Sequence, residues 1–227
     1  MEARIQFSIY LLLFIFLLFL EEPLSAEIVA STHIGYAPVG SLSSDETMPL
    51  KAVPLAGQLE YYPFAIDRFN VGALVSAHYV SLDLKRDIQN YNGSYSTLGL
   101  GLSFIYKAPN YRVQIAGERL GQASLGIKSI TYTKVNDVDF KHAALMQLAG
   151  NNGFLLRGAL MKTGTLGKNQ QVLIGVSLET LVQPFTKETV SVRSNDRTVS
   201  PSVTFERESP SRFSYLSLGL LLSYLVP

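Results

Sequence analysis

A closed, antiparallel, up-and-down transmembrane β-barrel with polar side chains enclosed is the fold class predicted by this 227-residue sequence. Three observations predict it. Segments of about 9 to 11 residues, the length of a membrane-crossing strand, alternate with period two. One face of that alternation is apolar and almost free of charge, while the other gathers Gly, small residues and scattered charges. A near-continuous apolar run opens the chain, and no later stretch reaches the length of a spanning helix. A mature chain that enters a bilayer without helices must close its strands into a ring to satisfy every backbone group.

The opening run, residues 5 to 20, follows Arg4 and precedes Glu21-Glu22-Pro23-Leu24-Ser25-Ala26, the layout of a secretory leader cleaved near Ala26. Residues 1–26 are therefore read as a signal peptide and 27–227 as a single barrel domain. The absence of Cys excludes a disulfide framework, a thiolate metal site and a lipidated cysteine. A net charge of +1 gives no reason to expect a nucleic-acid partner, and three His make a poor metal inventory. No cofactor motif is present: Gly99 and Gly101 lack the following helix that a phosphate cradle requires.

The first strands are expected near 27–38 and 53–63. The clearest alternation follows from Phe69, where Val71, Ala73, Val75, Ala77 and Tyr79 share a face against Asn70, Gly72, Leu74, Ser76 and His78. Ser96, Leu98, Leu100, Leu102, Phe104 and Tyr106 repeat the pattern, as do Tyr111, Val113 and Ile115 against Arg112, Gln114 and Glu118. Further strands are expected near 122–133, 139–149, 153–163, 170–184 and 212–226, for a count of ten. Segments 122–133 and 139–149 alternate poorly: Leu125 and Ile127 share a face, yet Ile130 and Tyr132 take the other. A bulge near Ser129 would explain the change of phase, and eight strands remain if both segments form an outer excursion. Turns are expected at 65–68, 108–110 and 136–138 on the periplasmic side. Long outer loops are expected at 39–52, 83–93 and 185–211, with a short one at 150–153. Within the last long connection, Thr189–Arg193 and 198–200 flank a turn-forming sequence, so that hairpin could project beyond the membrane.

Parity assigns His33, Gln58, Glu60, Asn70, His78, Arg112, Gln114, Glu118, Gln147, Arg157 and Glu179 to the lumen, with Lys128 beside them. In a narrow barrel such charges persist when paired and hydrogen-bonded. The plain expectation is a polar network, with Glu60, His78, Arg112, Gln114, Glu118, Arg157 and Glu179 at its centre. The sharper one is a gated pore in which Arg112 or Arg157 exchanges partners among Glu60, Glu118 and Glu179. Ser76 and His78 sit two apart on one face, as a nucleophile and base can, but no neighbouring carboxylate is fixed by sequence to orient the His. No catalytic residue is assigned. Tyr61, Phe69, Tyr106, Tyr111 and Tyr224 fall at one set of strand ends, and Tyr36, Tyr79, Phe154 and Phe213 at the other, like two interfacial girdles.

In the final segment Ser217 and Gly219 share one face, while Leu218, Leu220, Leu222, Tyr224 and Val226 line the other. This resembles the C-terminal assembly signal of bacterial outer-membrane barrels, with Ser217, Gly219, Leu222 and Tyr224 at its informative positions. Over 27–227 the chain is similar in layout to the membrane domain of OmpA-type and OmpW-type proteins. It departs from them in lacking Trp, in ending on Pro and in having no periplasmic peptidoglycan-binding domain. The resemblance implies residence in the bacterial outer membrane, insertion by the barrel assembly machinery, and contact with outer-membrane lipids and lipopolysaccharide. It does not by itself imply an activity. The function expected is a non-enzymatic structural or surface-interaction barrel with an unidentified extracellular partner. A narrow channel for small or apolar solutes is the rival, and an outer-membrane lipid hydrolase the distant one.

Overall fold

The computed structural model describes residues 26–43, 47–66, 68–86, 89–135, 138–166, 170–194 and 202–226; the leader segment lies outside the described residues. These residues form nine antiparallel strands: β1 (Glu27–Ser43), β2 (Thr47–Ile66), β3 (Phe69–Arg86), β4 (Gln89–Lys107), β5 (Tyr111–Val135), β6 (Val138–Gly150), β7 (Gly153–Leu166), β8 (Gln170–Ser194) and β9 (Ser202–Val226). Neighbours in sequence pair along the wall, and β1 zips to β9 from Ile28↔Val226 to Ser43↔Arg212, closing the ring. Closure leaves no edge in the membrane zone, which a lipid-exposed backbone requires.

The ring has eight staves, because β6 and β7 share one. β5 pairs with β7 from Tyr111↔Lys162 to Leu120↔Gly153 and then with β6 from Ala123↔Gly150 to Val135↔Val138. The register does not slip between the two ladders. β8 likewise pairs with β7 below and β6 above. Of the two counts expected, ten and eight, the ring has eight staves, an even number as is usual in single-chain bacterial barrels. Segments 111–118 and 122–133 are one strand, and 139–149 and 153–163 are one interrupted stave; neither is a loop excursion. Residues 150–153 are not an outer loop but the interruption, where Asn152 takes a left-handed backbone with φ 64°.

The phase change lies at Gly121–Gln122, where the β4–β5 register shifts between Thr97↔Ala123 and Gly99↔Leu120, rather than near Ser129. Two residues opposite one reverse which parity points inward. Gln147 and Lys128, given lumen places by unbroken parity, consequently face outward. Ile130 and Tyr132 have side chains outside the described residues. The connections at 65–68 and 108–110 lie between strands at the end that holds Glu27 and Val226, but the one at 136–138 is at the opposite end, because β5 runs the full height. Segments 39–52 and 83–93 are mostly strand, and β8 and β9 stay paired to Arg193↔Ser202. Residues 198–200 lie outside the described residues. The end that holds Glu27 and Val226 is called the lower end below, and the other the outer end.

Polarity inverts along the barrel axis. Between the girdles the outward side chains are apolar: Leu100 and Leu218 are 66% and 65% exposed, with Val75, Ile115, Leu160, Ile174 and Leu220 around the same belt. The described charged side chains nearest to it that face outward stand at its margins, Arg119 at the upper one and Lys162 at the lower. Above it, Lys51, Asp83, Lys128, Lys187 and Arg212 face outward, while Leu42, Leu50, Leu82, Leu84, Tyr95, Leu125, Ile127, Leu148, Phe185 and Phe213 pack inside as one apolar core. The lower zone is built for hydrocarbon outside, and the upper one for water outside. On β3 the inversion falls at Tyr79–Val80: His78 is inside below, Leu82 and Leu84 above.

The lower girdle holds Tyr61, Phe69, Tyr106, Tyr111 and Tyr224, with the Phe69 and Tyr106 rings 5.1 Å apart, and Tyr36, Tyr79 and Phe154 mark the upper level. Phe213 is not among them: it is fully buried, sharing the inward parity of Ser217 and packing on Tyr95 and Tyr215. Leu221, the one apolar residue on the polar face of the last strand, packs inside with Ala159, Met161 and Leu173. Ile115→Arg, midway on β5 between Tyr111 and Arg119, is expected to lower vesicle-reconstituted stability by about 2–4 kcal/mol, and Lys51→Ala, above the belt, by far less. Equal effects in urea titrations of the two variants would contradict this placement of the bilayer.

Candidate functional site: the filled lumen

Described side chains project into the lumen from the rim at Glu27 to the apolar core around Phe213. At the lower rim Glu27 forms ion pairs with Arg112 and Lys107. One layer up, Tyr62 donates to Glu60 and lies 2.7 Å from Ser103 Oγ, while Gln114 Nε2 reaches Glu60 Oε2 and Ser103 Oγ at 2.8 Å each. Strands β2, β4 and β5 supply this layer. The inward parity of each strand brings residues distant in sequence to one height.

The central layer holds Gln58, Ser76, His78, Glu118, Arg157 and Glu179. Gln58 Nε2 donates to Glu118 Oε1 at 3.1 Å, Ser76 donates to Glu118 Oε2, and His78 Nε2 stands 2.9 Å from the same oxygen. Arg157, 1% exposed, donates from Nε to Glu179 Oε2 at 2.9 Å, pairs again through Nη2, and holds Nη1 at 3.9 Å from Glu118 Oε1. Tyr215 completes Glu179 by donating to Oε1 at 2.6 Å, and His33 Nδ1 lies 3.6 Å from Oε2. One guanidinium thus bridges two carboxylates. That pattern keeps buried charge tolerable, since each carboxylate also accepts hydrogen bonds from neutral neighbours.

Small residues make this layer possible. A Cβ on Gly99 would overlap Glu118 and Ser76, and one on Gly219 would overlap His33. These glycines leave room for large polar groups on the neighbouring staves. Above the ring, Gln183 accepts from Tyr95 at 3.1 Å and donates to the Pro184 carbonyl at 3.0 Å, separating the polar zone from the apolar core.

The residues expected at the network's centre all face the lumen, but in separate layers. Glu118, His78, Arg157 and Glu179 meet; Glu60 and Gln114 form a lower layer; Arg112 pairs with Glu27 rather than with Glu60, Glu118 or Glu179. Exchange among those three carboxylates is thus available to Arg157 toward Glu118 and Glu179, whereas Arg112 is held at the rim. Glu27, Tyr62, Ser103, Gln183 and Tyr215 were not anticipated. Their inward parity was readable: Glu27 shares it with His33, and Tyr215 with Ser217.

Ser76 Oγ lies 2.8 Å from His78 Nε2, a nucleophile-to-base distance, and Glu118 supplies a carboxylate nearby. The carboxylate meets the same Nε2 as the hydroxyl, not Nδ1, so it competes with Ser76 instead of orienting the imidazole from behind. All three are buried in the filled interior. Among the described residues no group of three or more His, Asp or Glu is arranged to hold a metal ion.

At the C-terminal strand, Ser217 and Gly219 face inward and Leu222 outward, with Tyr224 half-buried at the lower girdle. Ser31 donates to Ser223 at 2.8 Å across the closing seam.

No family model and no curated protein matches the chain. Among solved structures, a major outer membrane protein from Thermus thermophilus is similar at a TM-score of 0.48 and 11% identity, covering 88% of this chain and 99% of that one. The outer membrane protease OmpT from Escherichia coli is similar at 0.46 and 8% identity, covering 92% and 100%. Acinetobacter baumannii CarO is similar at 0.33 and 13% identity, covering 85% and 95%. The likenesses concern layout alone.

Proposed function

We propose that this chain is an outer-membrane barrel with a structural or surface-interaction role, non-conducting and non-catalytic, whose outer rim is the part available to partners. The observation that carries this reading is the doubly sealed lumen: the Glu118–Arg157–Glu179 layer below and the apolar core around Tyr95, Phe185 and Phe213 above. Eight staves enclose an interior that side chains can fill, as in small OmpA-type barrels. The apolar belt supports residence in a bilayer, and the leader expected at 1–26 supports export. On this reading Ser217, Gly219, Leu222 and Tyr224 serve recognition by the assembly machinery. Lipopolysaccharide and other outer-membrane lipids surround the belt.

Planar-bilayer recordings of the full chain are expected to show no stable conductance, with Arg157→Ala the variant most able to admit ions. Stable unitary currents in the unaltered protein would favour the narrow-channel reading, for which the Arg157 contact to both carboxylates is the supporting geometry. Lipid deacylation abolished by Ser76→Ala would instead favour the hydrolase.

A further inference from the structure

The interruption in the β6–β7 stave opens a recess of about 530 Å³ on the outer surface of the wall, lined by Leu98, Leu100, Arg119, Gln122, Asn151 and Asn152 among others. Neither Gly121 nor Gln122 has a ladder partner on that stave, and Asn151 and Asn152 belong to no strand. Arg119 pairs in register with Phe154, which sets it at the upper girdle, and its side chain is exposed. Its Nη2 donates to Asn152 Oδ1 at 2.6 Å, tying the cation to the residue with left-handed backbone. Beside it on β4, Leu100 pairs in register with Arg119 and Leu98 stands opposite the inserted residue, and both are among the most exposed apolar residues of the wall.

We propose that this recess binds the phosphorylated headgroup of a lipid in the outward-facing leaflet. The phosphate sits at Arg119 with the Asn151, Asn152 and Gln122 amides beside it, and acyl chains lie over Leu98 and Leu100. The inference rests on the membrane placement argued above. Charge complementarity selects the occupant: a guanidinium has five N–H donors in a planar fork suited to phosphate. A cation at the interfacial depth is tolerated far better than one at the midplane. Gaps in a strand ladder also present backbone polar groups that must find partners, and an anionic headgroup supplies acceptors where hydrocarbon cannot. A neutral lipid would satisfy the leucines and leave Arg119 without its counter-charge.

The test uses the full chain in neutral detergent micelles, followed by native mass spectrometry with dioleoyl phosphatidic acid, dioleoylglycerol or inorganic phosphate added. The unaltered protein is expected to retain phosphatidic acid about tenfold better than dioleoylglycerol. Arg119→Gln removes that preference. Gly121→Val removes it too, by filling the recess while keeping the charge, since a Cβ there meets only the Leu98 carbonyl at an ordinary 3.5 Å. Lys187→Gln, elsewhere on the collar, keeps it. Heat-modifiable migration verifies that each variant is folded. The proposal is overturned by equal retention of both lipids, by an unchanged preference in Arg119→Gln, by equal loss in Lys187→Gln, or by full displacement with inorganic phosphate. A conducting lumen would refute the sealed-barrel reading and leave these retention ratios untouched, so the two failures are separable.

Discussion

Arg157→Met is expected to destabilise the barrel by about 3–5 kcal/mol, because it strands Glu118 and Glu179 in a buried layer without their shared cation. Loss of the ion pair itself is the smaller part of this cost. The larger part is the two carboxylates left without the guanidinium, Glu118 among Gln58, Ser76 and His78 and Glu179 against Tyr215. The double variant Arg157→Met with Glu179→Leu should recover part of the loss, since it removes the more closely paired of the two stranded carboxylates and leaves Glu118. Urea titrations of vesicle-reconstituted protein, read by the electrophoretic shift on boiling, measure both. A single variant within about 1 kcal/mol of the unaltered protein would mean that the bridge carries no buried charge.

Phe213→Ala is expected to cost about 3–5 kcal/mol, the range for truncating an aromatic side chain in a packed core. The ring stands 5.0 Å from Tyr95 and 5.6 Å from Tyr215, centroid to centroid, and is fully enclosed. Phe154→Ala, at the lipid-facing girdle, removes a half-exposed ring and should cost markedly less. The contrast bears on more than one residue, because it asks whether the outer half of the barrel has an apolar core at all. If the two variants were equally tolerant, the upper seal would be a loose collection of side chains, and the non-conducting reading would lose one of its two supports.

Much of the lower barrel was legible from parity alone. Val75, Leu100 and Ile115 face lipid and Ser76, Glu118 and Arg157 face the lumen, as period two requires when no extra residue intervenes. The upper barrel was harder for two physical reasons. First, an inserted residue at Gly121–Gln122 reverses parity without any change in composition, as Asn151–Asn152 does on the neighbouring stave, so Lys128 and Gln147 face outward against the parity of Glu118 and Arg157. Second, the inward face changes from polar to apolar while its parity holds. On β3, Val80, Leu82 and Leu84 continue the face of His78, and the outward face takes Ser81 and Asp83. That exchange is visible in the sequence, but polar residues beyond the girdle fit a loop as well as the water-facing side of a strand that extends past the bilayer.

Partnership in the central layer had a different origin. Local patterning can place Glu118 and Arg157 on an inner face, but their heights depend on how each stave is staggered against the next. Stagger is set by backbone ladders between segments tens of residues apart. Glu27 meeting Arg112, or Arg157 bridging Glu118 and Glu179, follows from that cumulative register, as does the merging of β6 and β7 into one stave. Alternation is a property of each strand and so was written in the chain order: a strand-built wall, a greasy belt and an enclosed polar face. The number of staves, the sealed layers and the gap beside Arg119 were decided in three dimensions, because one hydrogen-bonded register must be shared around a closed ring.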